Sequence, residues 1–257
     1  MSSTNLKIFD LQKKVAIVTG ASKGIGESVA RLLANHGAKV VVSSRKQIDI
    51  DSVARQIIND GHEAIGIACN TGNNEQCENL IATTIQHFGG IDILVNNAAT
   101  NPVYGPALEC TAELFDKLIS VNVRGPFELS KKAFPSMKLR GGGSVINISS
   151  IAGERPDPGL GIYSVTKAAL NMLTKVLAKE WGTAGIRVNA IAPGLIKTKF
   201  STALWNNAET TERLMKQISL GRIGSPEEIA YMVLFLASDA SAYCTGSVFT
   251  ADGGWTI

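Results

Sequence analysis

The feature that most constrains this chain is a recurrence of short apolar runs, rich in β-branched residues, separated by stretches of helical period. Val15-Ala16-Ile17-Val18 is followed by a stripe of Ile25, Val29, Leu32 and Leu33 that stops at Gly37. Lys39-Val40-Val41-Val42-Ser43-Ser44 is followed by a helical pattern from about Ile50 to Asn59, and the run from Ala64 to Cys69 by another from about Glu75 to His87. Runs at Ile91 to Val95, Val145 to Ile148, Arg187 to Ala192 and Val248 to Ala251 continue the series. Strands without polar alternation must be covered on both faces, as in a parallel sheet flanked by helices. Strand and helix in turn predict an α/β fold, a doubly wound parallel sheet with helices on both faces. No linker or internal repeat divides the 257 residues, so one domain spanning 1–257 is expected.

The first strand runs into Thr19-Gly20-Ala21-Ser22-Lys23-Gly24-Ile25-Gly26, and a helix follows. In that context the glycines let backbone N–H groups approach a pyrophosphate, with the helix N-terminus facing the anion. The spacing is GxxxGxG rather than GxGxxG. The second strand ends in Ser43-Ser44-Arg45-Lys46, where an acid would otherwise hold the ribose hydroxyls. Arg45 there, with Lys23 on the same side, offers a fork for a 2′-phosphate. A different chemistry stands at Tyr163-Ser164-Val165-Thr166-Lys167: the tyrosine and lysine are four residues apart, on one face of a helix. A phenol ionises at about pH 10, and a nearby ammonium is expected to pull that value down, giving a proton donor or acceptor. Ser150 closes the strand upstream, and its neighbour Ser149 points to the opposite face.

Together these motifs resemble the short-chain dehydrogenase/reductase family, over a span from about Leu11 to Trp255. The resemblance implies a single-domain Rossmann-type fold and a tetrad of Asn122, Ser150, Tyr163 and Lys167. It places Gly20, Ser22, Lys23, Gly24, Ile25 and Gly26 on the cofactor phosphates, and associates Lys23 plus Arg45 with NADP(H) in preference to NAD(H). Asn70 and Thr71 fall near the adenine, Asn70 standing where many members carry Asp. Asn96 and Ala98 belong to an NNAG-like motif beside the adenine ribose, with Ala99 replacing its glycine. Tyr163 and Lys167 would also meet the nicotinamide ribose, and Pro193, Gly194, Ile196 and Thr198 the carboxamide end. Asn122 would kink its helix and hold a water near the lysine. Residues 200–220 are expected to form a substrate lid, with Leu204 and Trp205 as possible walls of an apolar pocket.

The activity implied is NADPH-dependent reduction of a ketone or aldehyde, with Tyr163 as general acid. Ser43-Ser44-Arg45-Lys46-Gln47 and the stretches Gly89 to Val95 and Ala192 to Thr198 are similar to carbonyl reductases of the dehydrogenase/reductase member 4 type. Alternatives are a 3-oxoacyl-[acyl-carrier-protein] reductase, an NAD-linked secondary-alcohol dehydrogenase, and a non-enzymatic NADP(H) sensor or scaffold. The missing arginine in Thr183-Ala184-Gly185 weighs against the carrier-protein reading. A homotetramer or homodimer is a family expectation. The net charge of +3 shows no basic clustering for nucleic acid. Four scattered cysteines and three scattered histidines make neither a disulfide frame nor a metal site. A polar N-terminus, the absence of a membrane-length apolar run and a C-terminus unlike a peroxisomal tripeptide lead to the expectation of a cytoplasmic protein.

Overall fold

The computed structural model describes residues 5–202, 212 and 214–257, so Leu204 and Trp205 lie outside the described residues. Each apolar run becomes a strand: β1 (Val15–Thr19), β2 (Lys39–Ser44), β3 (Ala64–Ala68), β4 (Ile93–Asn96), β5 (Gly143–Ile148), β6 (Ile186–Pro193) and β7 (Val248–Ala251). They pair in the order β3-β2-β1-β4-β5-β6-β7, every pairing parallel. The side-chain period of two splits the core between the two faces. From β1, Ala16 and Val18 join one apolar cluster and Ile17 the other. The first cluster is roofed by α1 (Gly24–Asn35), α2 (Gln47–Asn59) and α7 (Pro226–Ala237). The second is roofed by α3 (Asn74–Phe88), α5 (Gly125–Leu139) and α6 (Gly161–Trp181). The strand order reverses between β1 and β4, which opens a crevice at their C-terminal ends.

Local chemistry sets the helix starts. Ser225 and Glu228 form a reciprocal capping box with Pro226 at the first helical position of α7. Thr111 caps α4 (Ala112–Ile119) by accepting the Leu114 N–H at 3.2 Å. Beyond α4 the chain does not continue as a regular α-helix. Ser120–Arg124 forms a π-helical turn, closed by the Gly125 N–H onto the Ser120 carbonyl, and α5 starts at Gly125. Phe115 on α4 and Ala168 and Met172 on α6 are exposed, while Leu118 and Leu177 are buried. No helix of the described residues is long and apolar enough to cross a membrane.

Candidate active site

At the crevice the C-terminal strand ends surround a cleft of about 700 Å³. Its first wall is the glycine turn. Gly20 and Gly24 take φ of +64° and +60°, open to glycine and strained for other residues. A Cβ on Gly26 would stand 2.5 Å from both Asn97 Nδ2 and the Gly20 carbonyl, and one on Gly24 would stand 3.2 Å from Thr198 Cγ2. The first turn of α1 has Lys23 at its N-cap with no side-chain cap, so its N–H groups are left to the cleft. That cradle fits a dinucleotide phosphate. Two residues the sequence reading passed over hold it in shape. Thr19 Oγ1 donates to the Val95 carbonyl and accepts the Asn97 and Ala98 N–H groups at 3.0 and 3.1 Å. Asn97 Nδ2 donates to the Thr19 carbonyl at 2.9 Å. Both lay inside motifs already recognised, and only the cross-strand pairing of β1 with β4 reveals their job.

The cofactor residues expected from sequence fall into three groups. Gly20, Ser22, Lys23, Gly24, Ile25, Arg45, Asn70, Thr71, Ala98, Pro193, Gly194, Ile196 and Thr198 all line the cleft. Gly26 is buried behind it, packed on Asn97. Asn96 is buried as well, its Nδ2 bonded to Asn147 Oδ1 at 2.9 Å and Ser130 Oγ at 3.2 Å, so its side chain stitches β4 to β5 and α5. Asn70 turns its Oδ1 to its own loop, accepting the Gly72 N–H at 3.1 Å. Asp49, in the first turn of α2, joins Arg45 and Lys46 on the cleft wall, an acid that inspection of the strand end alone misses.

The tetrad residues come from three elements, with Tyr163 and Lys167 sharing one helix. Ser150 caps a short turn after β5, its Oγ accepting the Ala152 N–H at 3.1 Å. Tyr163 sits in the first turn of α6 and hydrogen-bonds Ser150. Lys167 is buried one turn on, its Nζ donating to the Ile148 carbonyl at 2.8 Å and lying 5.5 Å from the centre of the Tyr163 ring. Burial pushes the Tyr163 phenol up to about 12, against a smaller downward pull from the Ser150 hydrogen bond. Burial brings the Lys167 ammonium down to about 7. The expected ammonium-driven depression of the phenol is therefore absent from the protein's own groups. Desolvation opposes charge on both side chains.

Asn122 occupies the π-turn, so the kink expected of it is present. Its amide is spent on protein partners: Oδ1 accepts the Thr100 N–H at 2.8 Å, and Nδ2 donates to the Thr100 carbonyl at 2.9 Å and Thr166 Oγ1 at 3.1 Å. The side chain is thus a brace between the loop after β4 and the active helix. Ser149, as expected, faces elsewhere, donating to the Lys167 carbonyl at 3.3 Å. The remaining cleft wall includes Tyr104, Leu160 and Trp255, together with Phe200 from the segment expected to form the lid. The Phe200 ring lies 6.2 Å from that of Tyr163.

A parallel doubly wound sheet, a glycine cradle at its reversal point and a Ser-Tyr-Lys cluster beside it define a dinucleotide-dependent oxidoreductase. Comparison with known proteins agrees. The family profile described as Enoyl-(Acyl carrier protein) reductase matches residues 20–256. Human Dehydrogenase/reductase SDR family member 4 is 46% identical over 244 residues, covering 95% of this chain and 88% of that protein. The protein of the same name from Caenorhabditis elegans is 42% identical over 245 residues, covering 94% of each. The solved structure of a gluconate 5-dehydrogenase from Burkholderia cenocepacia, in complex with NADP and tartrate, superposes with a TM-score of 0.94 at 33% identity, covering 98% of each chain. The chain belongs to the short-chain dehydrogenase/reductase family, and it is an NAD(P)-dependent oxidoreductase acting on CH–OH groups.

Proposed function

We propose that this enzyme reduces a ketone or aldehyde to the alcohol with NADPH, and that Tyr163 is its general acid. The observation that carries the role is the placement of Tyr163, buried in the cleft wall beside Ser150 with Lys167 one turn on. A protonated donor beside a fixed hydroxyl suits an oxygen on which charge develops. A bound reduced nicotinamide supplies the hydride. Tyr163 gives its proton to the developing alkoxide, and Ser150 hydrogen-bonds that oxygen and fixes its position. Lys167, with its pKa near 7, takes or releases a proton next to the phenol and meets the phenolate as it forms. Asn122 holds Thr100 and Thr166, and so keeps the wall and α6 in register.

Lys23 and Arg45 on the cleft wall support NADPH over NADH, as does the structural neighbour solved with NADP. Asp49 beside them works in the other direction and keeps NADH a weaker substitute. The whole chain is proposed to act as one catalytic unit. The exposed apolar side chains of Val165, Met172 and Val176 along α6 support assembly into a homodimer or homotetramer. Four unbridged cysteines support a reducing, cytoplasmic setting. The description of the matching profile favours one second reading, a thioester substrate on an acyl carrier.

The deciding measurement is oxidation of NADPH and NADH by the purified protein against an acetoacetyl thioester, an α-diketone, an aromatic ketone and a long-chain aldehyde. Turnover of free carbonyls with NADPH is the expected result, and turnover of the thioester alone would move the assignment to the second reading. Tyr163→Phe is expected to lose about 10²–10⁴-fold in kcat, the worth of general acid catalysis. Retention of activity by that variant would remove Tyr163 from its role.

A further inference from the structure

We propose that Tyr104 is a specificity-determining residue, a pre-positioned aromatic wall of the cleft that selects substrates by the apolar group attached to the reacting carbonyl. The inference rests on the carbonyl-reducing reading above and deepens it.

Tyr104 is 58% exposed, yet three contacts fix it. Its hydroxyl donates to the Pro158 carbonyl at 2.8 Å. The next residue ties the same two loops together, the Gly105 N–H donating to the Gly159 carbonyl at 2.9 Å. The ring then lies where a side chain on Gly159 would be: a Cβ there would stand 2.5 Å from Tyr104 Cε1 and Cζ. Gly159 also has φ +88°, so both its backbone and its missing side chain are matched to the ring. The clamp is close in sequence to the acid, because α6 starts at Gly161 and carries Tyr163.

An exposed aromatic side chain usually loses rotamer freedom when a ligand covers it. This one has already lost that freedom to the fold, so contact with it adds apolar area at little further entropic cost. Hydrogen bonding to the carbonyl oxygen falls to Ser150 and Tyr163, whereas the cleft surfaces of Tyr104, Leu160 and Phe200 are largely apolar. Discrimination by Tyr104 therefore acts on the substituent and leaves the reacting group alone.

The test compares diacetyl with its phenyl analogue, in which one terminal methyl is replaced by a ring. For each, kcat/KM with NADPH and the calorimetric Kd on NADP-saturated protein are measured in the same series. The native chain is expected to favour the phenyl compound. Tyr104→Ala should lower the phenyl-to-methyl ratio of kcat/KM about tenfold, mainly through KM. Gly159→Ala, which drives a methyl into the ring from below, should lower it in the same direction with Tyr104 intact. Tyr104→Phe keeps the ring and loses only the Pro158 bond, so most of the ratio should remain. An unchanged ratio in Tyr104→Ala overturns the inference. If neither the native chain nor any variant turns over either diketone, the reduction reading is left to the wider carbonyl panel above, and the Kd ratio decides Tyr104 by itself. A tenfold loss of phenyl preference in binding upholds the wall, and equal binding overturns it.

Discussion

Lys167 and Tyr163 show how burial sets the chemistry of single residues here. An unfolded lysine keeps its proton up to its ordinary 10.5, but the folded one releases it near 7. Below about pH 7 both states are protonated, and the fold bears the full cost of a buried ammonium. Between about 7 and 10.5 only the unfolded chain holds the proton, so stability rises with pH through that window. Tyr163 has the opposite sign. Its folded value of about 12 lies above the ordinary 10.0, so its contribution is complete below 10 and is lost as pH climbs to 12. Lys167→Met keeps the stem and removes the charge. Urea unfolding of the dinucleotide-free protein between about pH 6 and pH 9 should show native-chain stability rising relative to this variant. Parallel profiles would mean that Lys167 is not desolvated as its burial implies. The sequence showed these two residues and their spacing. It could not show which influence dominates, because the neighbours that dehydrate them arrive from β5 and from the chain after β6.

Among the elements, those fully buried by the fold were the easiest to read. β1 has every residue buried and appeared as an unbroken apolar run. The kink at Asn122 was expected only through the family resemblance, and its form as a π-turn was not legible from the local residues. Gly125 lies so close to β3's outgoing loop that a Cβ would stand 2.5 Å from the Thr71 carbonyl. The same turn carries Asn122, whose three hydrogen bonds all reach other elements. Asn122→Ala should therefore act in two ways. It leaves the Thr100 backbone groups short of partners, costing about 1–3 kcal/mol of stability for each buried group left unsatisfied. It should also lower kcat more than it raises KM, because the residue braces α6 and does not touch the cleft. Ser225→Ala in the α7 capping box provides the contrast: about 1 kcal/mol of stability lost and kinetics unchanged. If Asn122→Ala matched that pattern, its role would be structural alone.

For the whole molecule, the cleft matters because both halves of the sheet build it. Gly20, Arg45 and Asn70 follow β1, β2 and β3, whereas Ser150 and Pro193 stand at the ends of β5 and β6. A dinucleotide spanning that crevice binds only when all these ends are assembled, so it favours the folded chain by mass action. At a free concentration about a hundred times Kd the gain is about 2.7 kcal/mol. For a chain of this size each kcal/mol raises Tm by roughly 2–4 °C. NADPH should then shift the melting temperature by about 5–10 °C, and NADH at equal concentration by less. Arg45→Ser should close most of that gap by weakening NADPH and sparing NADH, since the guanidinium's fork has a partner only in the 2′-phosphate. Asp49→Asn should widen it, since an acid on this wall suits the free ribose hydroxyls of NADH. Thermal melts of the three proteins with each cofactor check this directly. Equal shifts by NADH and NADPH in the native chain would show that Lys23 and Arg45 do not select between the two dinucleotides.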